Sequence, residues 1–276
     1  MAITLLSNLP VINARRHMEE TGRMYGDAIE RIASGKRINK SGDDAAGLAI
    51  STAMEGKIRS IAQARRNAKE ALSLMQVAEG GMNEVSNLLV RMRELAIQGA
   101  SDTIGDSERS MLELENQQLK KEIDRLANAT EYFGTSLLNG DGKEFTFQIG
   151  PDNNENNRIT YSTDKLDLRA STLGVDGVSL SDEDSALDAL GSVDEAISKL
   201  NVPRSEAGAM QTRFNSIINN LSIYEENMIQ ARSRIIDADL AVETAKATQA
   251  AVLQKAGAAV IAQANLMPHL ALKLLE

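Results

Sequence analysis

The chain has 276 residues and a net charge of -9, with 42% hydrophobic residues, four Phe, four Tyr, no Trp and no Cys. An interior without Trp or Cys must be filled by Ala, Leu, Ile, Val and Met, which favours close-packed helices over an aromatic-rich sandwich, and it excludes disulfides and thiolate metal sites. The acidic balance argues against a general nucleic-acid binder, because phosphate neutralisation needs clustered Lys and Arg.

Charge is uneven along the chain. Residues 1–40 carry seven basic and four acidic side chains, whereas residues 141–200 carry five basic and thirteen acidic. The acidic middle reads as a solvated outer region. The opening MAITLLSNLPVINARRHMEET lacks a basic n-region, a sustained apolar h-region and a small-residue cleavage site, so export by an ordinary cleaved signal is not expected.

The first helical segment places Met18, Tyr25, Ile29 and Ile32 on one face and is expected to end around Gly35. In SGDDAAGLAIS, Ser41 stands three residues before Asp44, the spacing of an N-cap with a carboxylate in the first turn. From Ile50 through Met54, Ile61, Ala68, Met75, Met82, Leu89 and Leu95 or Ala96, apolar positions recur at threes, fours and sevens. That predicts an amphipathic helix of about 50 residues, with a bend expected at Gly80-Gly81. After a turn near GASDTIGDSE, a further helix is capped by Asp106 or Ser107 and runs through Leu112, Leu119, Ile123 and Leu126 to about Asn128.

Between 132 and 175 the pattern changes. Phe145, Phe147 and Ile149 alternate with polar residues, as do Ile159 and Tyr161, and GPDNNENN lies between them. This predicts a β-hairpin within a region of about 141–175, with Tyr132 and Phe133 joining Phe145, Phe147 and Tyr161 in a small local core. The returning helix carries a 3.5-residue apolar repeat through Ala207, Met210, Phe214, Ile217, Leu221, Tyr224, Met228, Ala231, Ile235, Ala238, Val242 and Ala245, continued by Val252, Ala256 and Val260. Such a repeat argues coiled-coil packing. Pro203 is expected to kink or restart this helix and Pro268 to end it. The expected fold is mainly α, a long antiparallel coiled-coil helical bundle with a small β-hairpin region and its termini paired at one end of a rod.

The C-terminal stretch QAAVLQKAGAAVIAQANLMPHLALKLLE is unusually apolar. Burying its Val, Leu, Ile and Met side chains yields roughly 1.5–3 kcal/mol each. Fixing the backbone of about forty residues costs roughly 1–2 kcal/mol apiece, and a lone pair of helices leaves its outer faces wet. The two chain ends are therefore expected to become well ordered only when other copies of the same chain surround them.

No constellation points to catalysis. His17 and His269 belong to no H-E-x-x-H motif, and Asp43-Asp44, Glu19-Glu20 and Asp237/Asp239 read as caps or exposed faces. GDGKEF lacks P-loop spacing, and SDEDS lacks the full calcium-loop pattern. Met54, Met75, Met82 and Met92 at helical spacing read as core, and Gln249, Gln254, Lys255, Gln263, Asn265 and His269 interrupt any membrane-span reading. No cofactor or metal is expected.

AIERIASGKRINKSGDDAAGLAI (28–50), EIDRLANATEYFGTSLLNG (122–140), FQIG (147–150), RMRELAIQGAS (91–101) and ARSRIIDADLAVETAKATQAAVLQKAGAAVIAQAN (231–265) resemble bacterial flagellin. The resemblance implies a structural subunit that polymerises into the extracellular flagellar filament for motility. The alternative within it is a hook-filament junction or adaptor protein. It implies an inner filament-core domain of 1–44 plus 237–276 and an outer helical bundle of 45–236, without large variable outer domains. Ile29, Ile32, Val252, Val260 and Leu266 would then be polymer-core contacts. The implied partners are further copies of the chain, an export chaperone on the C-terminal segment, and the filament cap and hook-associated proteins. The vertebrate Toll-like receptor for flagellin is another, meeting Arg91, Leu95 and Glu115. Export would run through the flagellar secretion channel. The segment around Pro10, Arg15, Arg16 and His17 departs from the family pattern, and Pro203 falls in a helix the family leaves uninterrupted.

Overall fold

The structure, a computed structural model, describes residues 9–164 and 166–273, with side chains to Leu266. The order is α1 (Leu9–Ser34), α2 (Ala45–Gly99), α3 (Asp106–Ala129), β1 (Glu131–Tyr132), β2 (Thr135–Ser136), β3 (Glu144–Gln148), β4 (Arg158–Ser162), α4 (Ala170–Leu173), α5 (Glu183–Ile236) and α6 (Leu240–Lys273). The chain divides into two compact units, residues 1–56 with 227–276 and residues 57–226.

In the larger unit α5 runs antiparallel to α2. Arg93 bonds Asp194 at 2.6 Å, Gln211 donates to Glu79 at 2.6 Å and Arg65 pairs with Glu225 at 2.9 Å, so α5 descends as α2 climbs. From Ile61 onward the repeat read along α2 lies inward: Ile61, Ala68, Met75, Met82, Leu89, Met92 and Leu95 are buried, and Met75, Met82 and Met92 serve as ordinary core. Its start does not: Ile50 is exposed and Met54 half-buried. Gly80-Gly81 leaves the helix uninterrupted. Gly81 instead admits a close neighbour, since a Cβ there would lie 2.6 Å from Leu138 Cδ1 and 2.8 Å from Thr130 Oγ1.

β3 and β4 pair antiparallel with Phe145 opposite Tyr161 and Phe147 opposite Ile159, the hairpin the alternation predicted. Phe147 meets Phe214 of α5 edge-on at 5.7 Å and stacks with Phe145 at 6.3 Å. Burial, reinforced by Glu206, pushes the Tyr161 phenol up to about 12. The segment 174–180 is clamped to α3. Lys120 Nζ donates to Asp176 O at 2.8 Å and to Val178 O, Asn116 Nδ2 donates to Val178 O at 3.2 Å, and Leu180 N donates to Glu113 Oε2 at 2.6 Å.

Phe133 departs from the expected local core. It stands 91% exposed in the two-residue turn between β1 and β2, with φ 49 beside Gly134 at φ 74. Both positive values mark the tight hairpin turn that favours Asn-Gly. For an aromatic residue that conformation costs roughly 1–2 kcal/mol.

In the smaller unit α1 and α6 pair antiparallel. Arg31 lies 3.7 Å from Glu243, a Cβ on Gly22 would sit 3.5 Å from Gln254 Nε2, and one on Gly257 would sit 3.9 Å from Met18. Asp44, rather than Ser41, caps α2, its Oδ1 accepting from Gly47 N at 2.8 Å. Asp43 Oδ2 accepts from Asn39 N at 2.9 Å and Lys40 N at 3.0 Å. For α3 neither expected cap acts: Gly105 holds the position without a side-chain bond, and Asp106 is the first helical residue.

The long returning helix is not continuous. A bridge between Lys36 and Asp237 interrupts it, Ala238 N donates to Gly35 O at 3.0 Å, and Asp239 caps a new helix through Ala241 N at 2.9 Å. Pro203 does not restart the helix, since α5 runs through it, and Pro268 does not end α6, which runs on to Lys273; a helix continues past the loss of one backbone donor where the rest of its ladder holds.

Pro203→Ala restores that donor in the interior of α5 and should stabilise the larger unit by about 1–3 kcal/mol in urea unfolding. A smaller midpoint than wild type would show that the proline is required. The Lys40 and Asn39 amides hold the Asp43 carboxyl below its ordinary value. A depressed carboxylate contributes stability above its unfolded value and loses it as pH falls through the folded one. The Asn39 and Lys40 amide resonances should therefore move on acidification, and Asp43→Ala should abolish that titration.

Candidate assembly surface

Glu243, Ala247, Ala250, Gln254, Gly257, Ile261 and Ala264 of α6 face α1 or are shielded beside it, with Ala251 half-buried next to them. They are spaced four and three apart, the coiled-coil step, yet mostly small or polar. The bulkier apolar residues point away. Val252 is 60% exposed, Val260 57% and Leu266 60%, while Leu240, Val242 and Leu253 are also exposed. The repeat expected at Val242, Ala245, Val252, Ala256 and Val260 is thus the outward face of this pair rather than its inner seam. The inward set runs one residue ahead of that repeat: Ile236 is buried, and Glu243 and Ala250 follow it by sevens.

α1 shows the same inversion. Val11 and Ala28 are buried, whereas Leu9, Ile12, Met18, Met24, Tyr25 and Ile29 are exposed and Ile32 is half-buried. Of the five expected polymer-core residues, four are exposed and Ile32 is half-covered. Met267, Leu270 and Leu272 lie beyond the described side chains, as does His269; His17 is exposed and sits 3.8 Å from Glu20. Leu9, Ile12 and Met24 were absent from the sequence-based set, although their helical spacing marks them.

Glu243 is 5% exposed, with Lys246 at 2.7 Å and Arg31 at 3.7 Å from Oε1, and its Oε2 has no partner. This polar cluster fixes where α1 and α6 meet. It lacks a nucleophile, and among the described residues no group of His, Cys, Asp and Glu is arranged to hold a metal ion. No helix among them is long and apolar enough to cross a membrane.

In the larger unit Arg91 donates to Glu115 at 2.8 Å and to Glu94 at 3.0 Å, and these partners, Glu115 foremost, raise the guanidinium above its ordinary value. Both Arg91 and Glu115 reach solvent. Leu95 does not. At 1% exposure it belongs to the core beneath them, which corrects its expected role as a surface contact.

The bacterial flagellin N-terminal helical region matches residues 5–143, and the bacterial flagellin C-terminal helical region matches residues 190–275. Flagellin of Halalkalibacterium halodurans is 39% identical over 98% of both chains, and flagellin of Bacillus subtilis 32% identical over 98% of both. Flagellin FlaB1 of Treponema pallidum is 35% identical over 94% of both. Among solved structures, Bacillus cereus flagellin superposes with a TM-score of 0.50 at 30% identity, over 56% of this chain and 88% of its own. A putative flagellar hook-associated protein from Vibrio parahaemolyticus shares the fold at 15% identity and a TM-score of 0.58, over 71% of this chain and all of its own. Two matched family regions that bracket the chain, and relatives spanning nearly its whole length, make it a member of the bacterial flagellin family.

Proposed function

We propose that this flagellin enters its filament by burying the outward faces of α1 and α6 against neighbouring copies. Its role as a structural subunit of the bacterial flagellar filament, outside the cell, follows from its family and from relatives named as filament proteins. One observation supports the mode of assembly: the pair turns small and polar residues inward and Val252, Val260 and Leu266 outward. An apolar row this long on a soluble subunit marks a contact surface. Two helices alone bury too little to offset their ordering, so the pair is marginal in the single subunit and consolidates on stacking.

The division of labour follows the notion of an inner core formed by 1–44 with 237–276 and an outer bundle of 45–236. The role is mechanical rather than catalytic. Before assembly the outward face of α6 needs cover, which suits an export chaperone on the C-terminal segment. A chain without cysteine suits passage unfolded through the flagellar secretion channel. The filament cap and hook-associated proteins would meet the same stacked core at its two ends. The exposed Arg91–Glu115 pair is the portion of the receptor epitope that a partner reaches; Leu95 supports it from below.

Val260→Asp places a charge on a residue already exposed in the subunit, so subunit helicity should be unchanged while seeded polymerisation falls by about tenfold or more, the cost of burying an unpaired charge. Normal filaments from this variant, seen by electron microscopy, would refute the buried-face mode. Arg91→Ala should lower reporter-cell signalling through the flagellin receptor several-fold, as expected for loss of a central Arg contact; equal potency would reject the epitope.

A further inference from the structure

The aromatic at the β1–β2 turn is doubly unfavourable where it stands. Phe133 is the one non-glycine residue with positive φ among those described, and it is also the most exposed large apolar side chain. Asn in that turn position would relieve the backbone and the exposure at once. Strain that a single substitution would remove points to a use for the side chain.

The ring is also held in place. Tyr132 packs edge-on against it at 4.7 Å, and the Tyr132 hydroxyl donates to Glu70 O at 3.5 Å, tying the aromatic pair to α2.

The same unit carries a hollow of matching character. Ile149, Pro151, Ile217, Leu221 and Tyr224 form the apolar side of an open depression of about 300 Å³ between the end of β3 and α5, with Asp152, Asn157 and Asn220 as its polar side. That volume exceeds a benzyl group, and within the chain Phe133 does not fill it, being almost fully exposed.

We propose that Phe133 of one subunit inserts into the Ile149–Pro151–Ile217–Leu221–Tyr224 hollow of a second copy. Knob and hole are different sites on the chain, so the contact is heterologous: each copy offers a free knob and a free hole after pairing. Such a contact adds copy after copy instead of closing as a two-fold dimer, as a filament requires. The inference rests on the filament role and adds a discrete contact outside the α1–α6 faces.

The test is seeded polymerisation of the full chain, reading the critical concentration against wild type. Phe133→Asn should keep the far-UV circular dichroism of the subunit, since the turn is relieved, yet raise the critical concentration by about tenfold or more, as for a buried aromatic anchor. Asn220→Trp fills the hollow from an exposed rim position and should do the same with Phe133 intact. Wild-type critical concentration in Phe133→Asn would overturn the knob, and wild-type behaviour in Asn220→Trp would overturn the hole. Failure of the wild-type chain to extend seeds would sink the filament role itself, a result distinct from both.

Discussion

The structure depends on a geometric limit: two helices have only one mutual face, and this chain spends that face on small side chains. Ala247, Ala250, Gly257 and Ala264 on α6, with Gly22 and Ala28 on α1, occupy it, and side chains of the facing helix lie against the glycines, Gln254 at Gly22 and Met18 at Gly257. Close approach gains dispersion contact but removes little apolar area from water. The area that matters energetically, at roughly 25 cal/mol per Å², sits on the other side of both helices. A pair built this way is complete as a shape and incomplete as a core. The larger unit has no such deficit, because α2, α3 and α5 surround a shared interior and the hairpin covers part of it.

The phase of α6 is what places that area outside. Along α5 the inward positions step through Phe214, Ile217, Leu221, Tyr224, Met228, Ala231 and Ile235. Continued without interruption they would reach Val242 and Ala245. Ile236, buried at the end of α5, already stands one residue ahead of that step, and from it the inward set runs by sevens to Glu243 and Ala250, across the bridge of Asp237 to Lys36 and the cap at Asp239. One residue is about 100° of helix, enough to carry Val252 and Val260 out of the pair. Glu243 then anchors the new phase, since a carboxylate that deep keeps its place only opposite Lys246 and Arg31.

Much of this architecture was legible because period and burial agree where an element is wrapped on several sides. α2 is the clearest case: its threes and fours lie inward from Ile61 to Leu95. The β3–β4 hairpin was legible for the same reason, its alternating Phe145, Phe147, Ile159 and Tyr161 having one covered face. Side chains that act through the backbone were not. Whether Ser41 or Asp44 caps α2 depends on turn geometry that both residue types satisfy, and the three-residue break in the returning helix leaves an apolar repeat nearly intact in the sequence. Apolar periodicity states that a stripe will be covered, not by which chain. Phe133 was placed in a core because aromatic clustering along the sequence ignores the direction a tight turn gives each side chain.

A row of exposed Val, Leu and Ala along a helix identifies a surface that will be covered, but it fixes the register of covering weakly. Sliding one such row past another by a helical turn, about 5.4 Å, replaces each contact with one of similar size, because Val252, Ala256, Val260 and Leu266 differ by only a few methylenes. A polymer that must repeat identically over many copies needs features for which such a slip is expensive. A single ring entering a depression is of that kind: displaced by a turn it meets a different surface or water instead of another ring-sized space. Broad faces then supply the free energy of association, and isolated features supply its uniqueness. That separation explains why a strained aromatic persists at a turn where a smaller residue would fold better.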